Sequence, residues 1–183
     1  FSVGLVDMIV ELKITDSRND VNSTQGMCGE NRNEYQTYPA AAYSINGNTV
    51  LNAGSEQIFP NGFPTDFSLL TVLRVSQPLV RVPLFSIFSS EGEEVLILMV
   101  GSEIALFYQD TNGNPEEDNL ISFGVGINDM KWHRVGLSVK GDSVTLILDC
   151  NRQITRQLQR EANSRIATDG LILAGVQFSE DEG

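Results

Sequence analysis

From Ala40 onward the apolar positions come in short runs broken by Gly, Pro, Asn and Asp. The runs predict strands over 40–45, 49–53, 66–75, 83–88, 94–99, 104–108, 120–125, 132–140, 143–150, 153–158 and 170–176. Turn signals fall between many of them, at Asn46-Gly47, Asn61-Gly62, Glu91-Gly92, Asn112-Gly113 and Gly141-Asp142. Many short strands at close spacing are the pattern of an all-β antiparallel sandwich. No helical period follows residue 14, which disfavours a parallel α/β enzyme fold. Before residue 40 the pattern differs. Val6, Ile9, Val10 and Lys13 recur at helical spacing, which predicts a short N-terminal helix with Ser2 as its cap. Residues 15–37 are polar, rich in Asn, Asp, Ser and Thr, and predict a loop that contains Cys28.

The stretch KWHRVGLSVKGDSVTLILDC, residues 131–150, holds the single Trp, the single His and one of the two Cys. Its alternation makes it a hairpin. Val135, Leu137 and Val139 share one face, and Val144, Leu146, Leu148 and Cys150 share the matching face of the second arm. Lys140-Gly141-Asp142-Ser143 supplies the reversal. His133 has the parity of Val135, and no nucleophile stands in a recognised setting beside it, so it reads as a structural histidine at a strand start. Phe59, Phe63, Phe67, Phe85, Phe88, Phe107 and Phe123 fall in strand or turn contexts and read as core.

The chain has 183 residues, enough for one domain with a sizeable core. Twelve Lys and Arg against 24 Asp and Glu leave a net charge of −12. That field repels phosphate backbones and anionic lipid, which argues against nucleic-acid binding. Screening over roughly 10 Å still allows a local basic patch to hold a polyanion. No run reaches the ~20 apolar residues of a membrane-spanning helix, so no membrane insertion is expected. Two cysteines outside any C-x-x-C pair give a zinc site almost no support. Asn22-Ser23-Thr24 matches the N-glycosylation acceptor pattern and leans towards a secreted, extracellular protein.

Three blocks carry a family resemblance. Lys131-Trp132-His133-Arg134-Val135, followed by a strand ending Leu148-Asp149-Cys150, looks like the laminin-G-like, thrombospondin N-terminal-type domain. Ile58-Phe59-Pro60 with Gly62-Phe63-Pro64-Thr65-Asp66-Phe67-Ser68 is similar to a second segment of that family. Asp110-Thr111-Asn112-Gly113-Asn114-Pro115, continuing through Glu116-Glu117-Asp118, resembles an acidic loop of type V and XI collagens, and Gly26-Met27-Cys28 sits where those collagens have Gly-Phe-Cys. The blocks run in order over residues 3–178. The resemblance implies a laminin-G-like jelly roll, one domain over 1–183, from the N-terminal non-triple-helical part of a fibrillar or fibril-associated collagen. It implies a secreted, non-enzymatic matrix module that binds matrix proteins and controls fibril growth, within a collagen trimer but monomeric when isolated. The family domain usually continues with another strand and with cysteines that pair with the equivalents of Cys28 and Cys150. Neither of those later cysteines occurs in this sequence. A truncated chain with free thiols, a Cys28–Cys150 bridge and a genuine variant all remain open.

Two candidate sites follow. Asp110, Asn112, Asn114 and Asp118 offer the oxygen ligands calcium prefers, and laminin-G-like relatives often bind calcium at a sheet rim. The plain alternative is a polar turn around Asn112-Gly113, because Pro115 and Ile121 break the EF-hand imitation. No other cofactor is expected. Arg152, Arg156 and Arg160 recur every four residues, with Arg165 following. If extended, the first three share one side, where guanidinium forks bind sulfate. Related N-terminal domains bind heparin or heparan sulfate through such patches, so a glycan-binding module of a thrombospondin-like glycoprotein is the alternative function. The plain reading is a charged edge strand protected from aggregation. A glycoside hydrolase needs two carboxylates about 5–9 Å apart across a cleft. Glu93-Glu94 and Glu116-Glu117 are adjacent pairs of loop character and do not supply that arrangement.

Overall fold

A computed structural model describes residues 4–14, 20–27, 41–45, 49–78, 81–115, 119–161 and 163–175. Twelve strands form within them: β1 Val21–Gln25, β2 Ala41–Ile45, β3 Leu51–Gly54, β4 Phe67–Arg74, β5 Arg81–Phe88, β6 Glu94–Gly101, β7 Ala105–Tyr108, β8 Leu120–Ser122, β9 Trp132–Lys140, β10 Ser143–Leu148, β11 Arg152–Gln157 and β12 Leu171–Ala174. Two single-turn helices accompany them, α1 Met8–Glu11 and α2 Ser55–Ile58. A four-stranded sheet runs β11-β10-β9-β4, a six-stranded sheet runs β3-β12-β5-β6-β7-β8, and β1 pairs with β2 in a separate ribbon. Every strand pair is antiparallel. None of the helices among the described residues is long and apolar enough to cross a membrane.

The expected all-β antiparallel sandwich is the observed architecture. Alternation decides which face each strand presents. On β9 and β10, Val135, Leu137, Val139, Val144 and Leu146 are buried. They pack in one core with Leu96, Leu98, Leu106, Tyr108 and Ile172 from the larger sheet. The central strand β6 is nearly all apolar and buried through Val95–Leu98, as a strand covered on both sides must be. Pro83 sits within β5 beside a register shift in its pairing with β6, the position where a sheet tolerates a residue with no N–H. Phe59, Phe63 and Phe67 stack edge to face, each step 4.8 Å between centroids, and lead the chain into β4.

Three local expectations are corrected. The N-terminal helix is one turn, and its cap is Asp7, whose carboxylate accepts from the Ile9 N–H at 3.0 Å; Ser2 lies outside the described residues. The stretch read as loop over 15–37 contains β1. Only Val21 of that strand is buried, so it has no apolar alternation to find, and its pairing with β2 holds it. Finally, β10 ends at Leu148. Asp149 and Cys150 both adopt left-handed backbone, with φ of 54° and 60°, and turn the chain into β11. Cys150 therefore stands exposed in a turn, not on the inward face beside Leu148.

Candidate functional site

The structure puts His133 between two carboxylates. Its Nδ1 is 2.8 Å from Asp149 and its Nε2 is 2.8 Å from Asp129. Asp149 also accepts from the Arg134 N–H at 2.9 Å, and Asp129 from the Lys131 N–H at 3.0 Å. The His133 side chain is 13% exposed. A neutral imidazole has one N–H, so only the imidazolium donates to both partners. Burial alone pulls the His133 pKa down, but the hydrogen bonds to Asp129 and Asp149 outweigh it and hold the ring above its usual value. Asp129 is held below the usual carboxylate range by its bonds from His133 and Lys131. Burial pushes Asp149 up, and the Arg134 and His133 bonds more than reverse it. Both ring nitrogens are occupied, so the group is a clamp joining the start of β9, the loop before it and the β10–β11 turn. It has no nitrogen left for a substrate proton.

The clamp gives stability a pH signature. The raised pKa of His133 contributes stability that is full below about pH 6.5 and is lost as pH rises through the folded value. The lowered carboxylates contribute stability that is present above about pH 4 and is lost as pH falls through their folded values. Urea unfolding midpoints are expected to be highest near pH 5–6 and to fall towards pH 8.5, with His133→Gln flattening the alkaline side. Equal slopes for the two proteins above pH 6 would remove the clamp.

The basic residues separate into two environments. Arg152 and Arg156 lie exposed on β11, an edge of the smaller sheet. Arg156 Nε donates to the Ser122 carbonyl at 3.1 Å, tying that edge to β8 of the larger sheet. Ser122 in turn donates to Glu103, which also pairs with Arg81 at 3.3 Å. Arg160 leaves the expected row, because β11 stops at Gln157. Its side chain is 2% exposed, and its fork donates to the carbonyls of Gly141 and Thr65 and to Asp66 at 2.7 Å. The guanidinium also lies 5.9 Å from the Tyr108 ring. Thr65, Asp66, Asp142, Glu161 and Asn163 line an open hollow beside it. Arg165 is exposed, and its carbonyl accepts from Thr111 at 2.8 Å.

Asp110 is buried, and its Oδ1 accepts from the N–H groups of Asn112 and Asn114, both at 2.9 Å. This carboxylate locks the turn around Gly113. Asn112 reaches it through its backbone and Asn114 through both its backbone and its side-chain amide, which donates to Asp110 Oδ2 at 3.5 Å; Asp118 lies outside the described residues. No cluster of three or more His, Cys, Asp or Glu suited to a metal occurs among the described residues. Asn22 is exposed on β1 opposite Ser44. Cys28 lies outside the described residues, so its relation to Cys150 is not placed.

Asp129 and Asp149 are the partners that sequence reading did not attach to His133. The hairpin register carried the signal for Asp149, since a turn at Gly141-Asp142 sets Val135 opposite Leu148 and so brings Asp149 beside Arg134. Asp129 lies in an irregular loop, where spacing says little about direction.

Among solved structures, the chain is similar to the LG1-3 region of the laminin alpha2 chain, with 12% identity over 66% of this chain and 24% of that one, at a TM-score of 0.45. It thus spans about a quarter of that chain's length. The sequence model of the laminin G domain matches residues 84–182, from β5 through the hairpin and β12. That match covers more than half of the 183 residues, and the chain belongs to the laminin G domain family.

Proposed function

We propose that this chain is a secreted, non-catalytic matrix interaction module, the N-terminal globular domain of a collagen, which binds matrix partners and limits fibril growth. Laminin G domains are generally non-catalytic binding modules that engage extracellular-matrix components and heparan sulfate. The observation that carries the collagen reading is the ordered run of sequence blocks, ending in the Trp132–Cys150 hairpin. That hairpin builds the centre of one sheet and lies inside the family match. The mechanism is recognition by a preformed surface, with the bulk of the sandwich acting sterically beside a triple helix. Purified chain added to reconstituting collagen fibrils is expected to narrow them, read as diameter by electron microscopy. Unchanged diameters at stoichiometric addition count against it.

A second reading is favoured by the exposed pair Arg152 and Arg156 on an edge strand of an otherwise acidic chain. Heparin is the probe. Retention on a heparin column at low salt is expected, with Arg152→Ala plus Arg156→Ala weakening binding roughly 3- to 30-fold, at up to about 1 kcal/mol per exposed contact. Arg160 is left intact in this test because it is committed to internal partners. A chain that passes through at low salt removes the polyanion reading.

A further inference from the structure

The four strands of the smaller sheet, Phe67–Arg74, Trp132–Lys140, Ser143–Leu148 and Arg152–Gln157, contain no Asp or Glu. The chain as a whole carries 24 such residues against 12 Lys and Arg. Five of those cations are on these strands, and three of them, Arg74, Arg134 and Lys140, share the outward face; Arg152 and Arg156 pair with the inward-facing Leu148 and Val144. The nearby carboxylates stand in the end loops. Asp66, Asp129 and Asp149 are committed to Arg160, His133 and backbone donors, and Asp142 sits in the β9–β10 turn. Among the described residues, the outward face of this sheet is therefore an acid-free window in an acidic molecule.

Its centre is apolar. Leu70, Gly136, Ile147 and Gln153 are aligned across the four strands. Gly136 has no side chain to separate its neighbours. A Cβ there would stand 3.3 Å from the Leu70 side chain and 3.7 Å from Ile147. Leu70 and Ile147 thus make one patch with Val72 beside them, at 80%, 39% and 50% exposure. Next to it, Ser68 faces Ser138, and the Thr145 and Thr155 hydroxyls bond at 2.9 Å, a neutral row. Cations bracket the patch. Arg74 lies over Trp132 at 5.1 Å with Arg134 on the next strand position outward, and Lys140 stands at the far end. Arg134 and Lys140 are six residues apart, about 20 Å along the strand.

We propose that the outward face of the four-stranded sheet docks an acidic protein segment, whose apolar side chains seat on Leu70, Gly136 and Ile147 while its carboxylates meet Arg74, Arg134 and Lys140. A sulfated polysaccharide satisfies the cations but leaves the apolar centre wet. A second copy meeting this face through the same face sets cations against cations. An acidic protein surface satisfies both parts. The face is about 14 Å by 26 Å, smaller than the roughly 800 Å² that a stable complex covers on each partner, so the contact is a rapidly exchanging one. This proposal does not rest on the collagen reading, and fibril reconstitution can fail without touching it.

The test selects a display library of random twelve-residue peptides on the purified chain. Enriched sequences are expected to combine Asp or Glu with Leu, Ile or Phe. In fluorescence titrations their affinity is expected to fall at least tenfold with Leu70→Ser plus Ile147→Ser. It is expected to fall more at low salt than at high salt with Arg134→Glu. Leu70→Ser alone keeps the readout clear of folding, and its thermal midpoint should match the parent. The proposal is overturned if no peptides enrich, if they lack acidic residues, or if they bind the Leu70→Ser chain as tightly. Displacement by heparin oligosaccharide with no Leu70 dependence gives the surface to polyanions. Dimerisation of the parent that Leu70→Ser abolishes gives it to a second copy.

Discussion

Leu146→Ala is expected to cost about 2–5 kcal/mol of stability, while Ile147→Ala, one residue along, costs under about 1 kcal/mol. The two side chains sit on consecutive positions of β10 and point to opposite faces. Leu146 is 0% exposed and packs in the main core between the sheets. Its truncation leaves a cavity that the neighbouring strands cannot close, because Leu137 and Ile154 stand in register on either side of it. Ile147 is 39% exposed on the outward face and gives up little burial. For a domain of this size the difference corresponds to a drop of about 5–15 °C in the unfolding midpoint for Leu146→Ala. Thermal or urea unfolding of the two variants measures it. Equal losses would mean that the inward face of β10 has been assigned to the wrong side.

The same parity explains what was legible in the sequence. Strands with one wet and one dry face announce themselves by alternation, and β9 and β10 are the clearest case. Strand β6 is buried on both faces and was still found, because an apolar run bounded by Gly92 and Gly101 has few other readings. Strand β1 has neither signal. Four of its five residues are exposed, and a ribbon partner holds it, so nothing in Val-Asn-Ser-Thr-Gln sets it apart from loop. The single four-residue turn of α2 is too short for a helical period to repeat. The resemblance blocks placed the Trp132–Cys150 hairpin, but not the direction of Cys150, since the left-handed turn at Asp149 and Cys150 ends the alternation two residues early.

Candidate sites were less legible than strands, for a physical reason. Long charged side chains choose partners from whatever the tertiary fold brings near. Arg152, Arg156 and Arg160 share a spacing, yet the third sits past the strand end and turns inward. Asp110 has the composition of a calcium ligand, yet its carboxylate closes its own turn. The acid-free outward face is visible only once register aligns Leu70, Gly136 and Ile147, which lie far apart in the chain.

Arg160 also supplies the second large expected effect. Arg160→Ala is expected to destabilise the chain by about 2–4 kcal/mol, and Arg160→Lys to recover less than half of that. The guanidinium fastens three segments: Thr65-Asp66 ahead of β4, the β9–β10 turn at Gly141, and the loop that leaves β11. Alanine leaves two backbone carbonyls and Asp66 without this donor and uncovers the face of Tyr108. Lysine restores a charge but not a planar fork, and a single ammonium at the end of a flexible stem cannot reach all three acceptors in that geometry. Asp66→Asn is expected to cost less than Arg160→Ala, because the carboxylate is more than half exposed and Arg160 keeps its carbonyl partners. The Gly141 N–H bond, aided by Arg160, holds Asp66 below the usual carboxylate range, so its share of stability is present above about pH 4 and lost as pH falls through the folded value. Urea unfolding gives the free energies. Amide exchange at Leu158, whose N–H bonds to the Asp142 carbonyl at 2.8 Å, reports whether the loop loosens from the turn before the sandwich opens. If alanine and lysine variants both unfold within about 0.5 kcal/mol of the parent, the fork adds nothing, and the loop after β11 is held by its other contacts, among them buried Leu158 and Ile166 and the Thr111–Arg165 hydrogen bond.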